Sequence, residues 1–170
     1  WSSDVCSSDL GSFMESHPLE QASAAFRAGR LDEAAERCRA ILAREPLQLE
    51  TNHLLGVILF RQGRTNAARE TLARVTASPQ ATAEMLNNYG AVLNALGDSE
   101  RAASAFGRAI AVQPDFAEAY NNLGVIHRNA GRTVAAIDVF RRAIALEPGL
   151  AEARNNLRSA YRRSEEHTSE

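Results

Sequence analysis

Three tandem pairs of asparagines are the residues whose type and spacing point most clearly to a chemical role. The pairs are Asn87–Asn88, Asn121–Asn122 and Asn155–Asn156, and each follows the previous one by 34 residues. Asparagine is unfavourable inside a helix, because its side chain competes for backbone hydrogen bonds. The same amide offers both a donor and an acceptor. The spacing therefore favours a repeated hydrogen-bonding role for these residues.

Residue sets typical of catalysis or metal binding are not recognisable. His17, His53 and His127 have no metal-ligand spacing with one another or with carboxylates, so we interpret them as packed or solvated helix residues. No Ser/His/Asp or Cys/His arrangement stands out, and no glycine-rich loop follows a strand. We therefore predict no catalytic residue, no metal site and no cofactor, and we expect that the chain is not an enzyme.

The asparagine pairs lie within a 34-residue unit that is clearest at residues 117–150. With Ala117 as position 1, positions 4, 7, 8 and 11 form one face of a first helix. Gly131 at position 15 ends that helix, because glycine adopts the left-handed conformation freely. Ala136 and Phe140 lie on the inner face of a second helix. Pro148 cannot extend that helix.

Steps of 34 residues repeat this unit four times without a net insertion. The turn glycine recurs as Gly29, Gly63, Gly97 and Gly131, and position 20 is Ala34, Ala68, Ala102 and Ala136. Position 8 is Ala22, Gly56, Gly90 and Gly124, and position 24 is Cys38, Leu72, Phe106 and Phe140. A glycine inside a helix costs about 1 kcal/mol relative to alanine. Close approach of the two helices is the simplest compensation.

The period, glycines, alanines and prolines resemble the tetratricopeptide repeat family. The resemblance covers Glu15 to Leu150. It implies an all-α fold, a right-handed α-solenoid of nine helices. The predicted repeats are residues 15–48, 49–82, 83–116 and 117–150, followed by a capping helix over residues 151–162. Atypical residues in the first repeat and a polar outer face on the last helix are typical of terminal caps.

The resemblance also implies a concave groove lined by positions 2, 5, 6, 9, 12 and 13 of the first helices. Its position-6 asparagines are similar to the ladder in the repeat region of O-linked N-acetylglucosamine transferases, where amides hold the backbone of an extended peptide. The predicted peptide-binding residues are Asn88, Asn122, Asn156, Asn87, Asn121, Asn155, Asn94, Arg128 and Asn129. The alternative is that the asparagines only link adjacent helices. In the second repeat, His53 and Leu54 are predicted to end the ladder.

Both ends of the chain depart from the repeat pattern. The last eight residues, RSEEHTSE, can be encoded by AGATCGGAAGAGCACACGTCTGAA, and the reverse complement of that string encodes Ser3 to Asp9. Such an inverted pair is typical of a translated sequencing adapter. We therefore interpret residues 1–10 and 163–170 as non-native segments; natural tails are the alternative. Without them the chain has 18 basic and 16 acidic residues, and its formal charge changes from −2 to +2.

This near-neutral charge favours neither nucleic acid nor a membrane surface as a partner. No apolar run approaches the ~18 residues of a membrane span, and we expect a cytoplasmic protein. The predicted partner is a protein or peptide, and self-association through terminal helices is a further possibility. The alternative function is a targeting array for a larger bacterial glycosyltransferase, sulfotransferase or methyltransferase, with its catalytic part beyond Arg162.

Overall fold

The computed structural model of the protein describes residues 17–168, and within that range it contains nine α-helices and no strand. The helices are α1 (Pro18–Arg27), α2 (Leu31–Leu42), α3 (Leu49–Arg61), α4 (Thr65–Thr76), α5 (Ala83–Ala95), α6 (Ser99–Val112), α7 (Ala117–Asn129), α8 (Thr133–Leu146) and α9 (Ala151–Thr168). The predicted all-α solenoid of helix pairs is confirmed.

The helices form two layers. Each helix packs against its neighbours in sequence, and each odd-numbered helix also packs against the next odd-numbered one. The described even-numbered helices lie further apart, although Arg108 of α6 donates to the backbone carbonyl of Thr76 on α4 at 2.8 Å. The array therefore bends with α1, α3, α5, α7 and α9 on its inner side. This places the first helix of every repeat along the concave surface.

The turn inside each repeat depends on a glycine with positive φ. Gly29, Gly63, Gly97 and Gly131 have φ angles of 74°, 75°, 82° and 72°. The residue after each glycine donates its backbone N–H five residues back, as Arg30 does to the carbonyl of Ala25 at 3.0 Å. These are the features of a Schellman helix end. The recurring glycine thus sets the angle between the helices of each pair.

Close packing inside each repeat occurs between positions 8 and 24. A Cβ added to Gly124 would lie 2.5 Å from Phe140, and one added to Gly90 would lie 2.6 Å from Phe106. Gly56 has the same relation to Leu72, again at 2.6 Å. Glycine therefore lets a large side chain on the second helix lie directly on the backbone of the first. This contact explains the mid-helix glycines.

The first repeat makes the same contact with a different pair of residues. Ala22 occupies position 8, where the other repeats have glycine, and Cys38 occupies position 24. Both are fully buried in the same apolar cluster. The extra methyl group on the first helix thus stands opposite a smaller side chain on the second.

The capping helix is longer than predicted. It continues to Thr168, six residues beyond the predicted end at residue 162. It covers the fourth repeat through Ala160, which is fully buried with Ala136 and Phe140, while Leu157 packs beside them. The predicted non-native segment 163–170 therefore begins inside a helix. The segment predicted over residues 1–10 lies outside the described residues.

Candidate functional site

The asparagine pairs form a hydrogen-bonded register between successive repeats. Asn122 Nδ2 donates to Asn87 Oδ1 at 2.9 Å, and Asn156 Nδ2 donates to Asn121 Oδ1 at 2.9 Å. In both cases the position-6 amide binds the position-5 amide of the preceding repeat, 35 residues earlier. These bonds connect neighbouring inner helices. The asparagines thus fix how one repeat is placed against the next.

The two positions differ in burial. The side chains of Asn87 and Asn121 at position 5 are only 1% and 2% exposed, whereas Asn88, Asn122 and Asn156 at position 6 are half-buried. Asn87 also donates its own Nδ2 to Glu118 Oε1 at 3.0 Å. Burial keeps Asn87 and Asn121 away from a ligand in the groove. We therefore assign them to holding the position-6 amides.

The same register extends into the second repeat through His53. Asn88 Nδ2 lies 2.9 Å from His53 Nε2. An amide nitrogen only donates, so Nε2 accepts and the neutral ring carries its proton on Nδ1. Burial lowers the pKa of His53 from its usual value, while the carboxylates of Glu84 and Glu50 partly oppose that shift. His53 thus replaces asparagine as the position-5 acceptor for Asn88, and the row of position-6 amides stops at Leu54.

Each position-6 amide donates one of its two N–H groups inside the protein, and the oxygens of Asn88 and Asn122 remain open to a ligand. Within residues 17–164, no side chain or backbone donor binds Oδ1 of Asn88 or Asn122. Asn156 differs, because its Oδ1 accepts a hydrogen bond from Arg128 at 2.7 Å. The arrangement therefore offers two acceptors along the groove, one on α5 and one on α7.

The remaining predicted site residues lie towards the C-terminal end of the groove. Arg128 and Asn129 line an open cleft of about 470 Å³ together with Arg162 and Arg163. Arg163, which lines one side of this cleft, belongs to the segment predicted to be non-native. Asn94 is half-buried on α5, and Asn155 is exposed on α9, where no later repeat follows within the described residues.

At the other end of the groove, the structure contains a cleft that the sequence did not predict. It has a volume of about 380 Å³ and is lined by residues of α1, α3 and α5, including Leu19, Phe26, Leu54 and His53. Leu19 and Phe26 occupy positions 5 and 12 of the first repeat, which the family pattern places in the groove. Applying that numbering to the atypical first repeat would have found them.

Other chemistry-bearing groups do not form a site in the described part of the chain. Cys38 is fully buried, and burial raises the pKa of its thiol to about 11, which makes the thiolate inaccessible at neutral pH. No group of three or more His, Cys, Asp or Glu residues in this range has an arrangement that could hold a metal ion. None of the described helices has the length and apolar character required to cross a bilayer.

Comparisons with known proteins agree with the geometry. A tetratricopeptide repeat model matches residues 25–87, and a second one matches residues 90–151. A sequence search of curated proteins found no match. The crystal structure of MamA is 26% identical with a TM-score of 0.76, covering 85% of this chain and 79% of that one.

Two further solved structures share the fold at lower identity. PilF of Pseudomonas aeruginosa is 19% identical with a TM-score of 0.80, covering 89% of this chain and 69% of its own. YrrB, described as a tetratricopeptide repeat protein with an unusual peptide-binding site, is 18% identical with a TM-score of 0.72, covering 87% and 76%. Identities this low establish the fold alone. Because the two matching repeat models together span most of the described helices, the chain belongs to the tetratricopeptide repeat family.

Proposed function

We propose that the protein is a non-catalytic interaction scaffold whose concave groove binds an extended peptide or protein segment. The observation that supports this most is the pair of oriented amide oxygens on Asn88 and Asn122. Each amide is held by its own nitrogen, so its oxygen keeps one orientation before any ligand arrives. A fixed acceptor avoids the entropy lost when a free side chain is immobilised.

These oxygens match the donors of a peptide backbone. Every residue of an extended segment except proline carries an N–H group, whatever its side chain is. Acceptors on successive inner helices therefore bind the backbone with little dependence on sequence. The sequence predicted amides that offer both a donor and an acceptor to a peptide unit. The observed register uses one N–H donor of Asn88 and of Asn122, and the acceptor of each has no donor among the described residues.

The test is selection from a random peptide library displayed on phage, using the whole chain as bait. We expect enrichment of extended sequences, and weaker capture by the Asn88→Ala, Asn122→Ala and Asn156→Ala triple variant. Melting curves of both proteins are needed, because each substitution also removes an inter-repeat hydrogen bond. An equal capture by both proteins would show that the amides only link the repeats.

A matched pair of variants separates binding from stability. Asn122→Ala alone leaves the buried Oδ1 of Asn87 unpaired, which costs about 1–3 kcal/mol. Adding Asn87→Leu removes that buried acceptor and fills the space with an apolar side chain of similar size, so much of the stability should return. The double variant then tests the groove acceptor in a folded protein. The targeting-array alternative stays a prediction, tested by the reading frame of the source gene after Arg162.

A further inference from the structure

The groove changes character between its two halves. On α5 and α7 the accessible amides are those of Asn88 and Asn122 at position 6, because the position-5 asparagines are buried. On α1 and α3 the same two positions are mixed: Leu19 and Leu54 are apolar, whereas Glu20 and His53 are polar. Phe26 and Val57 complete the apolar lining of the 380 Å³ cleft. Because Asn88 also lines this cleft, a bulky apolar side chain can lie between these four apolar residues while the backbone next to it reaches the Asn88 amide.

One rim of this cleft is acidic. Glu50 and Glu84 both line it, both are exposed, and neither forms an ion pair within the described part of the chain. Their charge reaches into the cleft, because both carboxylates act on the pKa of His53. The one cation on the lining, Arg61, lies over the ring of Phe26 at 4.8 Å. The unpaired charge at this end of the groove is therefore negative on the Glu50 and Glu84 side.

We infer that the cleft selects an extended segment in which an aliphatic or aromatic side chain stands next to a lysine or arginine. The apolar side chain enters between Leu19, Phe26 and Leu54, and the cation pairs with Glu50 and Glu84. This inference rests on the proposed function, since it concerns the same groove. It adds a pocket that selects a side chain to a groove whose amides otherwise bind only the peptide backbone. The anchor also fixes which residue of the segment lies on each repeat.

Two variants separate the parts of this anchor. Glu50→Gln with Glu84→Gln keeps the size of both side chains and removes the charge at exposed positions, so the fold is retained. Leu54→Asn replaces the apolar wall with the residue that later repeats carry at position 6. It therefore removes the pocket while continuing the amide row. Both variants are compared with the unaltered chain by phage selection and by direct titration of one selected peptide.

The unaltered chain is expected to enrich peptides with an apolar residue beside a basic one. The double glutamine variant should bind the selected peptide about threefold to tenfold more weakly and lose the basic preference. Leu54→Asn should weaken it about tenfold or more and lose the apolar preference. The glutamine variant should keep the apolar preference and Leu54→Asn should keep the basic one, because different side chains of the cleft determine the two preferences.

Four outcomes would overturn the inference. Enriched peptides without either preference, or with an acidic one, would leave the proposed function intact but contradict the anchor. Unchanged affinity in both variants would do the same. A dimer that forms without peptide and disappears in Leu54→Asn would assign the cleft to a second copy of the chain. No enrichment at all by the unaltered chain would contradict the proposed function itself.

Discussion

At the scale of single residues, glycine has two different roles within helices of the same array. Gly90 and Gly124 lie under an aromatic ring that leaves no room for a Cβ, whereas Gly107 on α6 is exposed with nothing within 4 Å of an added Cβ. Packing therefore requires glycine at positions 90 and 124, but not at position 107. This difference allows a direct comparison.

We predict that Gly124→Leu lowers the free energy of unfolding by about 1–3 kcal/mol, because it overpacks the contact with Phe140. Gly107→Ala should raise it by about 0.5–1 kcal/mol, because alanine favours the helix and meets no neighbour. Urea unfolding of the two variants and the unaltered chain measures both changes. An unaltered unfolding midpoint for Gly124→Leu would refute the close-packing account.

His53 provides a second residue-scale prediction, on the pH dependence of stability. Its folded pKa is lowered by burial, so between the folded pKa and the unfolded value of about 6.5 the unfolded chain binds more protons. The contribution of His53 to the free energy of unfolding is therefore fully present above about pH 6.5, and it is lost as the pH falls towards the folded pKa. Protonation also removes the acceptor for Asn88.

The control for this prediction is His53→Asn, which restores the asparagine of later repeats and keeps an acceptor for Asn88. His127 also has a pKa lowered by burial, and it is unchanged in both proteins. The difference between the two unfolding curves therefore isolates His53. The loss of stability on acidification should be smaller in the variant. Identical pH profiles of the two proteins would show that His53 does not cause the loss of stability at acidic pH.

At the scale of elements, the pairing of positions 8 and 24 at each helix crossing can be tested in the first repeat. Cys38→Phe introduces the ring found at position 24 of later repeats, opposite the methyl group of Ala22. We expect it to cost about 1–3 kcal/mol by overpacking. Adding Ala22→Gly should recover part of that loss, since the double variant reproduces the pair of the third and fourth repeats.

A double-mutant cycle measures this coupling by urea unfolding. We expect a favourable interaction energy of about 0.5 kcal/mol or more between the two substitutions. Additive effects would mean that positions 8 and 24 of the first repeat are independent, and that the pairing seen in the other repeats does not extend to it.

The same element-scale features were the ones most accessible from the sequence. The 34-residue steps identify the turn glycines, the position-8 contacts and the helix pairs, because each depends on residues within one repeat. The bonds from position 6 to position 5 join different repeats, so they depend on how the solenoid bends. Sequence spacing showed that the amides recur but not which atoms they use. For the same reason, the sequence pattern predicted that His53 interrupts the row of asparagines.

At the scale of the whole molecule, stability depends on neighbouring repeats covering one another. Phe140 and Ala136 of the fourth repeat are fully buried because α9 lies over them. Residues 163–168 extend α9 beyond that contact, and Arg163 contributes one exposed hydrogen bond at 3.2 Å to the carbonyl of Arg128.

Two truncated chains test separately the contact of α9 with the fourth repeat and the contribution of residues 163–170. A chain that ends after Leu150 exposes Phe140 and should lose on the order of 3 kcal/mol. A chain that ends after Arg162 keeps the cover and should change by less than about 1 kcal/mol. The melting temperatures of both truncated chains, compared with that of the full chain, measure these losses of stability. A large loss on removal of residues 163–170 alone would argue that these residues are a native part of the domain.

The central claim is that the amides of the groove serve two functions, linking repeats through nitrogen and binding a peptide backbone through oxygen. Calorimetric titration of one library-selected peptide into the unaltered chain and into Asn87→Leu/Asn122→Ala tests it most directly, with melting temperatures measured in parallel. We predict that the double variant binds about fivefold or more weakly than the unaltered chain, at comparable stability, because it lacks one acceptor for the backbone. Equal affinities at matched stability would contradict it and leave the asparagines with a structural role only.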